Sequence, residues 1–194
     1  MSDESFLPVS ADEHSKVYDT LVSAFADDPV ERWLYPDLAE YHQHFPEFLA
    51  AFGSGAFQTE TVWRLGGFAA VALWLPPGAE PDGERIVSVL TDSVSASQDD
   101  DLFAVLGAMD TAHPNYPHWY LPWFGVDAAM QGTGLGSQLM QACLHIVDAS
   151  HLPVYLETPN PRTIPFYIRH GFSVAGEARS GTCPPMTFMQ RPSH

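Results

Sequence analysis

The tightest limit on what this chain can fold into lies between residues 119 and 150, where an extended segment, a glycine-spaced turn and a helix follow one another directly. The extended part reads Trp119-Tyr-Leu-Pro-Trp-Phe-Gly-Val126, and the turn reads Gln131-Gly-Thr-Gly-Leu-Gly136. Leu135, Leu139, Cys143 and Val147 then recur every four residues, with Met140 and Leu144 beside them, which is one face of an α-helix. Glycines in the turn let ligand oxygens approach the backbone. The first helical turn adds unpaired N–H groups and the positive end of the helix dipole, so the loop is an anion site. Two phosphate-binding patterns are excluded. No Gly-Lys-Ser/Thr ending is present, so the turn is not a Walker loop. Gly132, Gly134 and Gly136 are evenly spaced with Ser137 in the last slot, which fits the dinucleotide fingerprint poorly.

Charge narrows the partners. The chain carries a net charge of −16, and Lys16 is its only lysine. A nucleic-acid binder needs a basic footprint, so that class is excluded, and anionic membranes are disfavoured. A negative surface concentrates cations, which suits an amine-bearing substrate; solubility alone is the other reading. With 45% apolar and 16% charged residues over 194 positions, the composition is that of a globular chain able to bury a core. Its longest apolar run, Phe68 to Leu75, is too short to span a bilayer. The acidic start, Met-Ser-Asp-Glu-Ser, lacks the layout of a signal peptide. Cys143 and Cys183 do not make a disulfide framework, Cys143 falling on the core face of the helix. A cytoplasmic protein is expected.

Taken in order, Ser10-Ala-Asp-Glu13 is a capping box opening a helix that stops near Asp27-Asp28-Pro29. A second helix spans roughly Leu38 to Gly53, with Pro46 inside it. Gln58 to Trp63 and Phe68 to Leu75 read as strands paired across Gly66-Gly67, the second apolar on both faces and hence central. Gly83 to His113 is helical with a break at Ser93 to Asp101. After the glycine-loop helix come a strand from Leu152 to Glu157, a helix from Asn160 closing on Gly171, and two last strands, Phe172 to Glu177 and Thr182 to Gln190. No repeat or long linker divides the chain.

Gln131, Gly134 and Gly136, with Val126-Asp-Ala128 before them, resemble motif A of the GNAT acyltransferases, whose signature is Gln/Arg-x-x-Gly-x-Gly/Ala after a V-x-P strand end. Asn160-x-x-Thr-x-x-Phe166-Tyr167-x-x-x-Gly171-Phe172 resembles motif B of the same family. Ala24-Phe-Ala-Asp-Asp-Pro29, Ala70-Val-Ala-Leu-Trp74 and Leu156-Glu-Thr158 are similar to the puromycin N-acetyltransferase-like group within it. The resemblance implies one mixed α/β domain over residues 1–194. Its fold would be a central twisted sheet of about six to seven strands, splayed in the middle, with helices on both faces. It implies acetyl-CoA as co-substrate and transfer of an acetyl group to a primary amine of a small molecule. Backbone groups of Phe124 and Val126 would meet the pantetheine and the thioester carbonyl. N–H groups of Gln131, Gly132, Thr133, Gly134, Leu135, Gly136 and Ser137 would hold the pyrophosphate.

In the same family Glu157 stands where a general base is often found, and Tyr167 is the usual acid for the departing sulfur. Read from their surroundings alone, they are equally a strand-end carboxylate and a core tyrosine. Asn160 either contacts the co-substrate or caps its helix. One departure stands out: Gly132 and Thr133 occupy places where relatives carry a basic residue, so phosphate binding rests on backbone dipoles, with Arg162 or Arg169 as helpers. His42 and His44 point apart on a helix, so no metal is expected. Trp33, Tyr35, Trp74, Tyr116, Trp119 and Tyr120 are candidates for the lining of an amine cleft. Two rival functions remain: a non-catalytic acyl-CoA-binding module, and a protein or peptide N-acetyltransferase. A monomer or a homodimer is expected.

Overall fold

The computed structural model describes residues 5–193; the acidic start read above lies almost wholly outside them. Strands β1 (Leu7–Pro8), β2 (Val62–Leu65), β3 (Ala70–Leu75), β4 (Trp119–Val126), β5 (Val154–Thr158), β6 (Ser173–Ser180) and β7 (Cys183–Arg191) form one seven-stranded sheet in the order β1-β2-β3-β4-β5-β7-β6. Every neighbouring pair is antiparallel except β4 and β5. Helices α1 (His14–Phe25), α2 (Pro29–Leu34), α3 (Leu38–Phe52), α4 (Ser54–Gln58), α5 (Gly83–Ser93) and α6 (Asp99–Ala112) belong to one face. On the other face lie α7 (Leu135–Val147) and α8 (Ile164–Arg169). Each face has its own apolar layer, one built on Leu21, Phe45, Leu73 and Trp123, the other on Ala72, Trp74, Leu139 and Leu156. This is the mixed α/β sheet expected from the sequence. Cys143 and Cys183 are buried in opposite layers, so the sheet itself keeps them apart. No helix of the described residues is long and apolar enough to cross a membrane.

The centre of the sheet is open. Residues Trp119 and Tyr120 pair with Val154 and Tyr155, and the ladder between β4 and β5 goes no further. Pro122 lies just past that point. A proline has no N–H to donate, so it adds no donor to a ladder on either side. The register of β4 on β3 also shifts here, from Leu73↔Trp123 to Leu75↔Tyr120, leaving Leu121 and Pro122 opposite Trp74 alone. Such a bulge bends the strand locally. β4 and β5 therefore diverge beyond Tyr120, and their far ends flank a cleft.

Local sequence misled in three places. Residues 54–58, of which Gln58 was to begin a strand, are helix α4, and β2 begins only at Val62. Gly55 in α4 lies against the Glu80 carbonyl, where an added Cβ would come within 2.6 Å, so a close tertiary approach holds that turn. Between Asn160 and Thr163 there is a turn, not a helix; α8 starts at Ile164, with Pro165 in its first turn. It ends as expected at Gly171, whose φ of +89° suits glycine alone. Ser10 and Glu13 do meet, the Ser10 amide donating to Glu13 Oε2 at 3.3 Å, but they open a single 3₁₀ turn and α1 begins only at His14.

Candidate active site

The glycine loop behaves as its spacing implies, although its three glycines answer to different needs. Gly132 (φ +76°) and Gly134 (φ +92°) take left-handed conformations with open space around them, whereas Gly136 is held by contact. A Cβ on Gly136 would stand 3.2 Å from Val126 and close to Phe124 and Phe166, so its absence lets α7 dock on β4. Among the described residues, the N–H groups of Gly132 through Ser137 donate to no protein acceptor, the first bond of the helix running from Gln138 to the Gly134 carbonyl. The Gln131 amide donates back to the Val126 carbonyl at 3.2 Å, and the Thr133 hydroxyl to the Met130 carbonyl at 2.6 Å. Both side chains brace the loop. The free N–H row is what a diphosphate would need.

Beside the loop, the opened sheet leads into a cavity of about 120 Å³. Trp123, Phe124, Phe25, Met109 and Tyr120 line it, together with Tyr167 and three acidic side chains, Glu157, Asp28 and Glu31. Tyr167 is buried on α8 with its ring against Phe166 and Phe172. Burial raises its pKa well above the ordinary phenol value, and the nearby Asp28 carboxylate adds to the shift. The phenol thus keeps its proton across the working range.

Glu157 projects from β5 on the same face as Tyr155, with its side chain 5% exposed. His113 at the end of α6 brings Nδ1 to 4.0 Å from Glu157 Oε1. Its Nε2 lies 3.0 Å from Nε2 of His118, whose Nδ1 is 2.8 Å from the Tyr116 carbonyl. A carbonyl only accepts, so His118 Nδ1 carries the proton. For neutral rings the His118 Nε2 lone pair then accepts from His113 Nε2–H, and the bare Nδ1 of His113 faces Glu157. Burial also lowers the His118 pKa, which favours that neutral form.

Residues 19–172 match the Acetyltransferase (GNAT) family. The chain belongs to the GNAT family. This GNAT protein is therefore an acyltransferase. It is 28% identical over 180 residues to an uncharacterised N-acetyltransferase of Schizosaccharomyces pombe, covering 84% of this chain and 72% of that one. A Corynebacterium glutamicum structure described as a histone acetyltransferase and related acetyltransferase is 27% identical, with a TM-score of 0.67 over 100% of this chain and 98% of the other. Arylalkylamine N-acetyltransferase 2 of Aedes aegypti shares the fold, with a TM-score of 0.69 at 14% identity, over 98% of this chain and 99% of that one.

Within this GNAT chain, Glu157 and Tyr167 line one cavity, and Phe124 and Val126 flank the loop that bears residues 131–137. Asn160 spends its side chain on the turn before α8, Oδ1 accepting from the Arg162 amide at 3.1 Å; the N-cap of α8 is Thr163, so Asn160 does not cap that helix. Arg162 and Arg169 are exposed and form no ion pair among the described residues. Of the aromatic candidates only Trp33 and Tyr120 line the cavity; Tyr35 and Trp74 are core, and Tyr116 lies at a separate cleft. His42 is exposed, and the described residues contain no group of metal-binding side chains.

Sequence reading missed Pro122, Asp28, Glu31, His113 and His118. A proline inside a strand was the available signal for the first. No short-range pattern marks the others.

The loop yields a direct test. Gly134→Val forces a β-branched residue to φ +92°, at a cost of ~1–3 kcal/mol. The melting temperature of the free protein is expected to fall accordingly, and stabilisation by added acetyl-CoA to disappear. A variant stabilised as strongly as wild type would detach the loop from anion binding.

Proposed function

We propose that this acyltransferase moves the acetyl group of acetyl-CoA to a primary amine of a small molecule by direct attack. The observation that carries the reading is the convergence, in one cavity beside the opened sheet, of a buried carboxylate (Glu157) and a buried phenol (Tyr167), next to a row of unpaired N–H groups. Acetyl-CoA supplies a thioester whose carbonyl carbon accepts the amine lone pair as the carbon–sulfur bond breaks. Glu157 takes the proton that the attacking nitrogen must lose. His113 Nδ1, the lone pair beside that carboxyl, relays it outward through water. Tyr167 Oη gives its proton to the sulfur, and the N–H row from Gly132 to Ser137 holds the diphosphate. The cavity is of the order of the ~150 Å³ that admits a single benzene ring. That supports a small amine over a peptide as acceptor.

Acetyl-CoA is expected to raise the melting temperature with its concentration, as RT ln(1 + [L]/Kd) requires, with no such effect from NAD or ATP. Thiol release against an amine panel then separates the enzyme from a non-catalytic binding module. No shift at ~1 mM acetyl-CoA, at which a Kd of ~10 µM gives ~2.7 kcal/mol of stabilisation, would count against the whole reading. The net charge of −16 adds a kinetic expectation. If the acidic surface steers a cationic acceptor, kcat/KM falls as salt shortens the Debye length to ~8 Å near 0.15 M. Turnover indifferent to salt would assign the acidity to solubility. We also read the enzyme as cytoplasmic and as nearest the puromycin N-acetyltransferase-like group, a reading supported by Leu156-Glu-Thr158 and the Asp28-Pro29 segment.

A further inference from the structure

Two carboxylates in the cavity have no work in the transfer step. Asp28 ends the loop after α1, 6% exposed, and caps α2 by accepting from the Val30 and Glu31 amides at 3.0 and 3.4 Å. One turn on, Glu31 is 4% exposed, and its Oε2 has no hydrogen-bond partner among the described residues. Both line the cavity with Glu157 and Tyr167. A buried carboxylate is ordinarily paired with a cation. The adjacent cation does not serve: Arg32 Nη2 donates to the Pro36 carbonyl, the guanidinium lies over the Tyr41 ring at 5.7 Å, and its buried Nη1, though unpartnered, forms no ion pair with Glu31 or Asp28 among the described residues. Among the described residues, the titratable groups that interact electrically with Glu31 are Asp28, Tyr35 and Tyr41; Tyr167 lies beyond Asp28, and His44 stacks on the Tyr35 ring at 6.0 Å. Tyr41 Oη donates to the Val22 carbonyl and Tyr35 Oη pairs with Ser93, so neither is committed to Glu31.

We propose that Glu31, with Asp28 beside it, is a cation subsite that receives a second ammonium group of the acceptor, making the substrate a diamine with an apolar spacer. This rests on the cavity being the acceptor site of an acetyltransferase. Glu157 on β5 and the Asp28–Glu31 pair at the start of α2 line the same cavity from different elements, and its wall also carries Trp123, Phe25, Met109 and Leu102. Glu157 takes the proton from the reacting nitrogen; Glu31 holds the second cation. A methyl in place of that cation would leave the Glu31 carboxyl unpaired.

Proton linkage follows. Burial raises the Asp28 pKa to about 6, and burial together with Asp28 raises that of Glu31 well above the carboxylate range. Folded pKa values above the unfolded ones mean that these carboxyls add stability below their unfolded pKa, lost as pH rises through the folded value. Before the diamine arrives, the pair is therefore partly protonated near neutral pH. The arriving ammonium drives it to the charged form, and protons leave.

The test is calorimetry on the full chain with saturating CoA. The ligands are α,ω-diamines from putrescine to hexamethylenediamine and p-xylylenediamine, each compared with its partner carrying a methyl for the second ammonium. At least one diamine is expected to bind ~10- to 100-fold more tightly than its partner, the range of charged hydrogen bonds. It should release about one proton, read as a binding heat that depends on the buffer. Glu31→Gln keeps the shape, abolishes the difference between partners, and leaves the melting temperature equal or higher at pH 8, because a buried carboxyl has been removed. Asp28→Asn retains the cap and weakens the diamine partially. Equal binding of all partners, or Glu31→Gln weakening both members of a pair alike, overturns the subsite. Diamine-selective binding without any thiol release would instead overturn the acetyl transfer and leave the subsite standing.

Discussion

Tyr167→Phe is expected to lower kcat by ~10²-fold or more, the scale of general-acid catalysis, while acetyl-CoA affinity stays within a factor of ~2 of wild type, well below one tenfold step of ~1.4 kcal/mol. The substitution keeps the ring, so the packing of α8 against Phe166 and Phe172 survives. It removes only the hydroxyl at the cavity wall. A departing thiolate whose conjugate acid has a pKa of ~8.5, by analogy with cysteine, takes a proton readily from a positioned phenol. Because burial raises the Tyr167 pKa far above neutrality, the rate should show no loss of this acid below pH 10. A buried hydroxyl contributes only ~1 kcal/mol to stability, so a core role and a catalytic role part clearly. Unchanged kcat with a lowered melting temperature would make Tyr167 a core residue and assign the sulfur's proton to water. The check is steady-state thiol release beside a thermal melt.

Glu157→Gln should remove ~10²- to 10⁴-fold from kcat/KM, since an amide of the same shape cannot take the amine's proton. The side chain is 5% exposed and its neighbours Tyr120 and Tyr155 are buried, so no bulk water stands in directly for the lost base. Raising the pH should recover part of the rate, because more of the acceptor then arrives neutral. Wild-type activity in Glu157→Gln at pH 7, with the fold intact, would move the base elsewhere in the cavity, to Asp28 or Glu31, which also line it. Measuring the pH profile of kcat/KM for both proteins settles which carboxylate governs the acidic limb.

Much of the fold was legible because it is written over short distances. The four-residue recurrence from Leu135 to Val147 is a helix face, and all four positions are buried. Gly132 and Gly134 both take positive φ, as only the local backbone demands. The hairpin across Gly66-Gly67 and the fully buried β3 were legible for the same reason. Where prolines crowd the chain, boundaries slipped: Pro161 and Pro165 delay α8, and α4 is helical because of what Gly55 touches across the fold.

By itself, then, the sequence determined the strand–loop–helix unit and its glycine-spaced backbone, which depend on residues within a few turns of one another; the candidate pair Glu157 and Tyr167 came from the resemblance of two motifs to those of the family. Tertiary structure alone decided that β4 and β5 part at Pro122, and that Glu157 and Tyr167 open on one cavity. It also decided that Asp28 and Glu31, from a distant segment, line that cavity, and that His113 reaches Glu157. The physical reason is solvent. A carboxylate in the sequence is an ordinary charged group, and only a fold that strips its water and withholds a cation makes it a site.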